Sequence, residues 1–156
     1  DDSPAGYGNC TVPALPGALS YEQVGAGSFH LVLLRSDGQV LIGSDDYNSG
    51  EEHTKLVPPL PEGLVYTQVS GGYYVTAMLR SDGEAFFLDH QEATITTYPI
   101  SELPHGVIYT QVAAGYMCHL LLRSDGRATI AGKNRCGECD VPELPPGVIY
   151  TQISGG

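Results

Sequence analysis

The sequence predicts an all-β chain built from tandem repeats, and three observations carry that prediction. The phrase Leu-Arg-Ser-Asp-Gly occurs at Leu34–Gly38, Leu79–Gly83 and Leu122–Gly126, with its arginines 45 and 43 residues apart. Each copy follows a Tyr-x-Gln-Val segment and a Gly-rich step, at Tyr21–Gly27, Tyr66–Gly72 and Tyr109–Gly115, and a fourth lead-in occupies Tyr150–Gly156. No segment carries a sustained apolar helical stripe with caps. A period of about 40–45 residues marks a repeat architecture, so recurring residues are read first as scaffold.

In the third unit, Val107–Ala113 nearly alternates β-formers with polar residues and predicts a strand. Ala114-Gly115 then lets the backbone turn or pass close to a neighbour. His119–Arg123 supplies a mostly apolar strand, Ser124-Asp125-Gly126 a hairpin turn, and Arg127–Ala131 the return strand, closed by Gly132. Aspartate accepts backbone hydrogen bonds and glycine takes positive φ without a clash, as such a turn requires. The first unit repeats the order as Tyr21–Val24, Ala26-Gly27, His30–Arg35, Ser36-Asp37-Gly38, Gln39–Ile42 and Gly43. The second gives Tyr66–Val69, Gly71-Gly72, Val75–Arg80, Ser81-Asp82-Gly83 and Glu84–Leu88. There Asp89 stands in place of the closing glycine, so this unit is expected to leave its last strand differently.

Long, turn-rich connections run through Ser44–Gly63, His90–Gly106 and Lys133–Gly147. Each ends near a Leu-Pro step, at Leu60-Pro61, Leu103-Pro104 and Leu144-Pro145, echoed by Leu15-Pro16. Proline stops a strand and sets a rigid approach, while the leucine tucks under the loop. The expected organisation is a single domain over 1–156, with units at approximately 7–50, 51–95, 96–139 and a partial 140–156. That amounts to about three β-propeller blades plus the start of a fourth. Propellers usually close with at least four blades. The expectation is therefore a piece of a longer propeller, or a ring completed by another chain.

The net charge of −11, from 18 acidic against 7 basic side chains, argues against binding nucleic acid or anionic membranes. A basic protein partner fits better. No run approaches the roughly 18 apolar residues of a membrane helix. Four cysteines, Cys10, Cys118, Cys136 and Cys139, are too few for a dense disulfide scaffold. Cys136 and Cys139 have the spacing of a redox pair or half a zinc site. They lie in a Gly-rich connection rather than at a helix N-terminus, where a thiolate would be activated. A Cys136–Cys139 disulfide or two free thiols is the leading expectation, and a redox or zinc protein the alternative. Cys10 and Cys139 each stand eleven residues before a unit tyrosine, a position filled elsewhere by Lys55 and Tyr98. Cys118 is expected to be a small buried hydrophobe.

Asn9-Cys10-Thr11 fits the glycosylation pattern at Asn9. The acids Asp45, Asp46, Glu51 and Glu52 do not have EF-hand spacing and read as a solvated loop. Asp89, His90 and Glu92 invite an acid–base reading, but no motif places a nucleophile beside them. Tyrosine is the enriched type, ten residues against three Phe and no Trp. Tyr21, Tyr66, Tyr109 and Tyr150 are in register and expected in blade packing. Tyr7, Tyr47, Tyr73, Tyr74, Tyr98 and Tyr116 fall in steps or connections, where tyrosine can anchor a partner with apolar area and a polar tip, and Tyr47, Tyr73, Tyr74 and Tyr116 are singled out as the candidate partner-binding residues.

The hairpin triplet, the Ala-Gly or Gly-Gly step and the repeat length together resemble the repeats of the regulator of chromosome condensation (RCC1-like) family, over nearly all of Tyr7–Gly156. The resemblance implies a propeller, seven-bladed in most members, that binds proteins through its loops and faces. Members include a nucleotide-exchange factor, repeat arms of ubiquitin ligases and a secreted inhibitor of β-lactamases. The wording Val-Pro-x-Leu-Pro-x-Gly-x-x-Tyr-x-Gln-Val is similar to that of large protist repeat proteins labelled as ubiquitin ligases. The family's histidine position falls on His30, Val75 and Cys118, so only His30 keeps it, and a packing role is expected there. His119, one residue later, is expected on the face opposite Cys118.

The functional expectation is a noncatalytic protein-interaction or structural accessory module with exposed aromatics in an acidic rim. It has no catalytic, cofactor or metal residues, and it forms a homo-oligomer if the ring closes between chains. The repeat arm of a ligase or an exchange-factor-like regulator is a further alternative.

Overall fold

The computed structural model describes residues 12–44, 54–98, 102–116, 118–132 and 140–155. Among these residues, ten strands form three antiparallel sheets, each following chain order. The first blade is β1 (Tyr21–Ala26), β2 (His30–Arg35) and β3 (Val40–Ser44). The second is β4 (Tyr66–Gly71), β5 (Val75–Arg80), β6 (Ala85–Asp89) and β7 (Thr94–Tyr98). The third is β8 (Tyr109–Ala114), β9 (Cys118–Arg123) and β10 (Ala128–Gly132). The expected strands are present with ends within two residues of those read from the sequence. Over the described residues, the three sheets form an open arc rather than a closed ring.

The sequence left the blades three- or four-stranded, and one fourth strand lies in a segment read as a turn-rich connection. The connection after Asp89 contains β7, whose residues Thr94-Ile95-Thr96-Thr97-Tyr98 are β-branched or aromatic and pair with β6. Asp89 makes the turn into it: its Oδ1 accepts the N–H groups of Gln91 at 2.8 Å and Glu92 at 3.1 Å. Asp89, standing where the other units have glycine, thus makes the turn through which the second blade continues into a fourth strand.

Each inner strand carries the same bulge, between Tyr21 and Gln23, Tyr66 and Gln68, and Tyr109 and Gln111. A strict period of two would put Tyr66 and Val69, three residues apart, on opposite faces. The extra residue resets the alternation, and both side chains enter the same core. Gln68 is then aimed the other way. Its Oε1 accepts the N–H of Val112 at 2.7 Å, as Gln23 accepts Val69 at 2.9 Å and Gln111 accepts Ile153 at 3.1 Å. The recurring glutamine is a staple from one unit to the next inner strand.

The Leu-Arg-Ser-Asp-Gly phrase is likewise consumed by structure. Asp37, Asp82 and Asp125 each accept the N–H two residues on, and Gly38, Gly83 and Gly126 take φ of 77°, 88° and 77°. The arginines turn back onto these carboxylates. Arg80 grips Asp82 with Nε at 3.0 Å and Nη2 at 2.7 Å and also pairs with Glu84. That hydrogen bond from Arg80 holds Asp82 below the usual carboxylate range. Ser36, Ser81 and Ser124 accept the N–H of Ser20, Val65 and Ile108, tying each hairpin to the start of its own inner strand.

Two cores lie between blades. Val32, Leu34, Val40 and Ile42 of the first meet Tyr66, Val69, Met78, Phe86 and Leu88 of the second. Val75, Ala77, Leu79, Ala85 and Phe87 of the second meet Tyr109, Val112, Ala114 and Leu121 of the third. Leu60 and Leu103 of the Leu-Pro steps pack against these cores, as expected of them. The tyrosine hydroxyls of Tyr21, Tyr66 and Tyr150 donate to the carbonyls of Pro13, Pro58 and Pro142, at 2.8, 2.8 and 2.6 Å. These bonds clamp each connection onto its own unit and explain why the position holds tyrosine rather than phenylalanine.

Candidate functional site

The site begins in the Gly-rich steps that link inner strands to second strands. Ser28 N–H donates to Gly72 O at 3.3 Å, and Tyr73 N–H to Gly115 O at 3.2 Å, so consecutive steps are joined backbone to backbone. A Cβ on Gly27 would lie 2.4 Å from Gly72 O, and one on Gly72 would lie 2.3 Å from Gly115 O. Only glycine allows that approach. The side chains that follow each glycine are therefore presented side by side along one rim.

Each step carries an aromatic side chain within two residues of its glycine. Tyr73 meets Tyr116 with ring centroids 4.6 Å apart and Tyr74 at 4.4 Å. Phe29 stacks on Tyr74 at 5.1 Å and meets Tyr73 edge-on at 5.4 Å. Phe29 is 46% exposed and Tyr116 58% exposed, while Tyr73 and Tyr74 are half-buried between them. Three of the four tyrosines singled out in the sequence thus share one patch. Phe29, the fourth ring, is not a tyrosine and so does not belong to the enriched type. Its signal was positional: it occupies in the first unit the place that Tyr74 holds in the second. Tyr47, Cys136, Cys139 and Asn9 lie outside the described residues.

Beside this rim, between the second and third blades, sits His119. Its ring stacks on Phe87 with centroids 4.1 Å apart, and its Nδ1 is 3.1 Å from the Tyr98 hydroxyl. Burial pushes its pKa down to about 4, against a smaller opposing pull from Asp89, so the imidazole is neutral near pH 7. Its neighbour Cys118 is buried, free and on the opposite face, as the alternation requires. His30 is buried with its ring centroid 4.0 Å from that of His90, whose Nε2 is 2.8 Å from Thr76 Oγ1. Tyr98 is drawn inward, edge-on to Phe87 at 5.5 Å, and belongs to packing rather than to the rim.

Among the described residues, no group of three or more His, Cys, Asp or Glu side chains is arranged to hold a metal ion. Asp37, Asp82 and Asp125 are occupied by their arginines. What the arrangement offers is displayed rings on a rigid backbone.

Sheets stacked face to face and joined through their inner strands define a β-propeller type of protein. Comparison with solved structures gives the kind: the fold is that of RCC1-like repeats. Yeast RCC1 (Prp20) bound to Kap60 matches with a TM-score of 0.60 at 17% identity, over 81% of this chain and 35% of that one. Prp20p from Saccharomyces cerevisiae, described with its binding properties to Gsp1p and histones, matches with 0.61 at 17%, over 80% and 35%. Human WBSCR16 matches with 0.63 at 16%, over 88% and 43%. The chain therefore spans between 35% and 43% of the length of these structures. No protein-family model matches the sequence, and no curated protein matches it.

Proposed function

We propose that this chain is a noncatalytic interaction module of RCC1-like repeats whose aromatic rim contacts a protein partner. The observation that carries this reading is the connected run of four rings, Phe29, Tyr74, Tyr73 and Tyr116, with its two ends exposed, on a backbone that glycine contacts hold rigid. Rigid aromatic side chains bury large area at low entropic cost when a partner covers them. Yeast RCC1, which shares the fold, is described with the protein partners Kap60, Gsp1p and histones, and this supports a protein as the partner class here. The acidic composition supports a partner of basic character.

A benzophenone-bearing amino acid placed at Tyr116, and separately at the exposed Glu22, tests the reading in an extract of the native cells. Protein adducts form at position 116, and excess unmodified chain suppresses them. A chain carrying Phe29→Ala and Tyr73→Ala does not suppress them. Equal adducts at position 22, or full suppression by the double variant, would count against the rim.

A further inference from the structure

Next to the aromatic rim, a cleft of about 230 Å³ opens between the second and third blades, with Tyr74, Asp89, Gln91, Glu92, Tyr116 and His119 around it. Two of its walls are rings already in the rim. Two others are carboxylates at the turn from β6 to β7. No described residue lining the cleft is a lysine or arginine.

The electrostatics of this cleft follow from its construction. The Asp89 carboxylate is anchored by two backbone N–H groups, so its place does not depend on a flexible stem. On the strand ladder, the third blade has Gly132 opposite Cys118 where the second has Asp89 opposite Val75, so the charge belongs to this blade. His119, its ring against Phe87, stays neutral near pH 7 and does not offset the acids. The described lining of the cleft therefore presents two carboxylates and two π faces. Its size also constrains the occupant. Pockets for drug-sized ligands run roughly 300–1,000 Å³, so this one suits a single side chain.

We propose that this cleft receives an arginine side chain from the protein partner. A guanidinium plane stacks on tyrosine while its edge donates to carboxylates, a combination a neutral side chain lacks and a lysine ammonium makes less well. This assignment rests on the reading of the rim as a contact surface and adds to it one point of specificity.

The test titrates the full ¹⁵N-labelled chain with the peptide Gly-Ser-Arg-Ser-Gly, with its norleucine counterpart and with calcium chloride, following backbone amides by NMR. The arginine peptide is expected to give saturable shifts centred on Tyr74, Glu92, Tyr116 and His119, weakened by added salt. Glu92→Gln and Tyr116→Leu, both at exposed positions, are each expected to weaken binding about three- to tenfold while leaving the remaining amide spectrum in place. Equal binding of the norleucine peptide overturns the assignment, as does calcium producing the same shifts at lower concentration. Absence of saturable shifts with the arginine peptide overturns it too. If crosslinking at position 116 succeeds while the peptide fails, the rim stands and the arginine cleft falls.

Discussion

Val24, Val69 and Val112 occupy the same place in three successive units, yet Val69 and Val112 are 2% and 3% exposed whereas Val24 is 59% exposed. The local sequence around each is nearly the same, Tyr-x-Gln-Val followed by small residues, and each inner strand bulges alike. What differs is the neighbour. Val69 and Val112 each face the preceding blade, and no described sheet lies on the corresponding face of the first. In a repeat protein, then, burial is a property of the junction and not of the unit.

The largest expected break of this comparison is at the junction of blades two and three. Phe87, 1% exposed, packs against His119 from across that junction and against Tyr98 of its own blade. Phe87→Ala is expected to cost about 3–5 kcal/mol in urea unfolding. A cost under about 1 kcal/mol would mean that the second core does not hold the blades together.

Acid sharpens the same junction. His119 is neutral in the fold, with its pKa at about 4, whereas in the unfolded chain it ionises near its ordinary value of 6.5. Its contribution is present above pH 6.5 and drains away as pH falls toward 4, because the unfolded state then takes up the proton first. The slope integrates to at most about 3 kcal/mol, reduced by partial solvent access. Stability followed by denaturation between pH 7 and 4 should fall more steeply in the parent than in His119→Gln. Parallel curves would remove His119 as the cause.

The valine triplet gives the most direct contrast. Val69→Ala is expected to cost about 2 kcal/mol, and Val24→Ala less than about 0.5 kcal/mol. Matching losses at the two positions would show that the first blade's open face is covered in solution, which sedimentation of the same samples would register as association.

The smallest effect separates the hairpins. Arg80 pairs with both Asp82 and Glu84 and lies with its guanidinium carbon 5.2 Å from the Phe86 ring centroid, whereas Arg35 pairs with Asp37. Asp82→Asn is expected to lower stability by about 0.5–1 kcal/mol, and Asp37→Asn by less. The reverse order in thermal unfolding would show that the second hairpin's extra partners contribute nothing.

Much of the fold was legible because the determinants are local and repeated. The Asp-Gly turns, the alternating strands and the Leu-Pro steps each state their geometry within a few residues. Strand β7 was hidden in a connection because no local hairpin motif marks its pairing with β6. The turn that reaches it depends on Asp89 hydrogen-bonding forward. The candidate site was half legible. Tyr73, Tyr74 and Tyr116 stood out by type, but Phe29 joins them only because the steps of neighbouring units bond side by side. The roles of Gln23, Gln68 and Gln111 as staples between blades were invisible for the same reason: their partners lie 46, 44 and 42 residues away in the chain.

By itself, then, the sequence determined the unit: its strands, its turns and the residues that recur. Tertiary structure decided which copies of a repeated residue are buried, which rings form a rim and which acids share a cleft with them. The reason is physical. Turn and strand preferences act over a few bonds, while burial and electrostatic company are set by whatever surface the next blade brings within van der Waals reach.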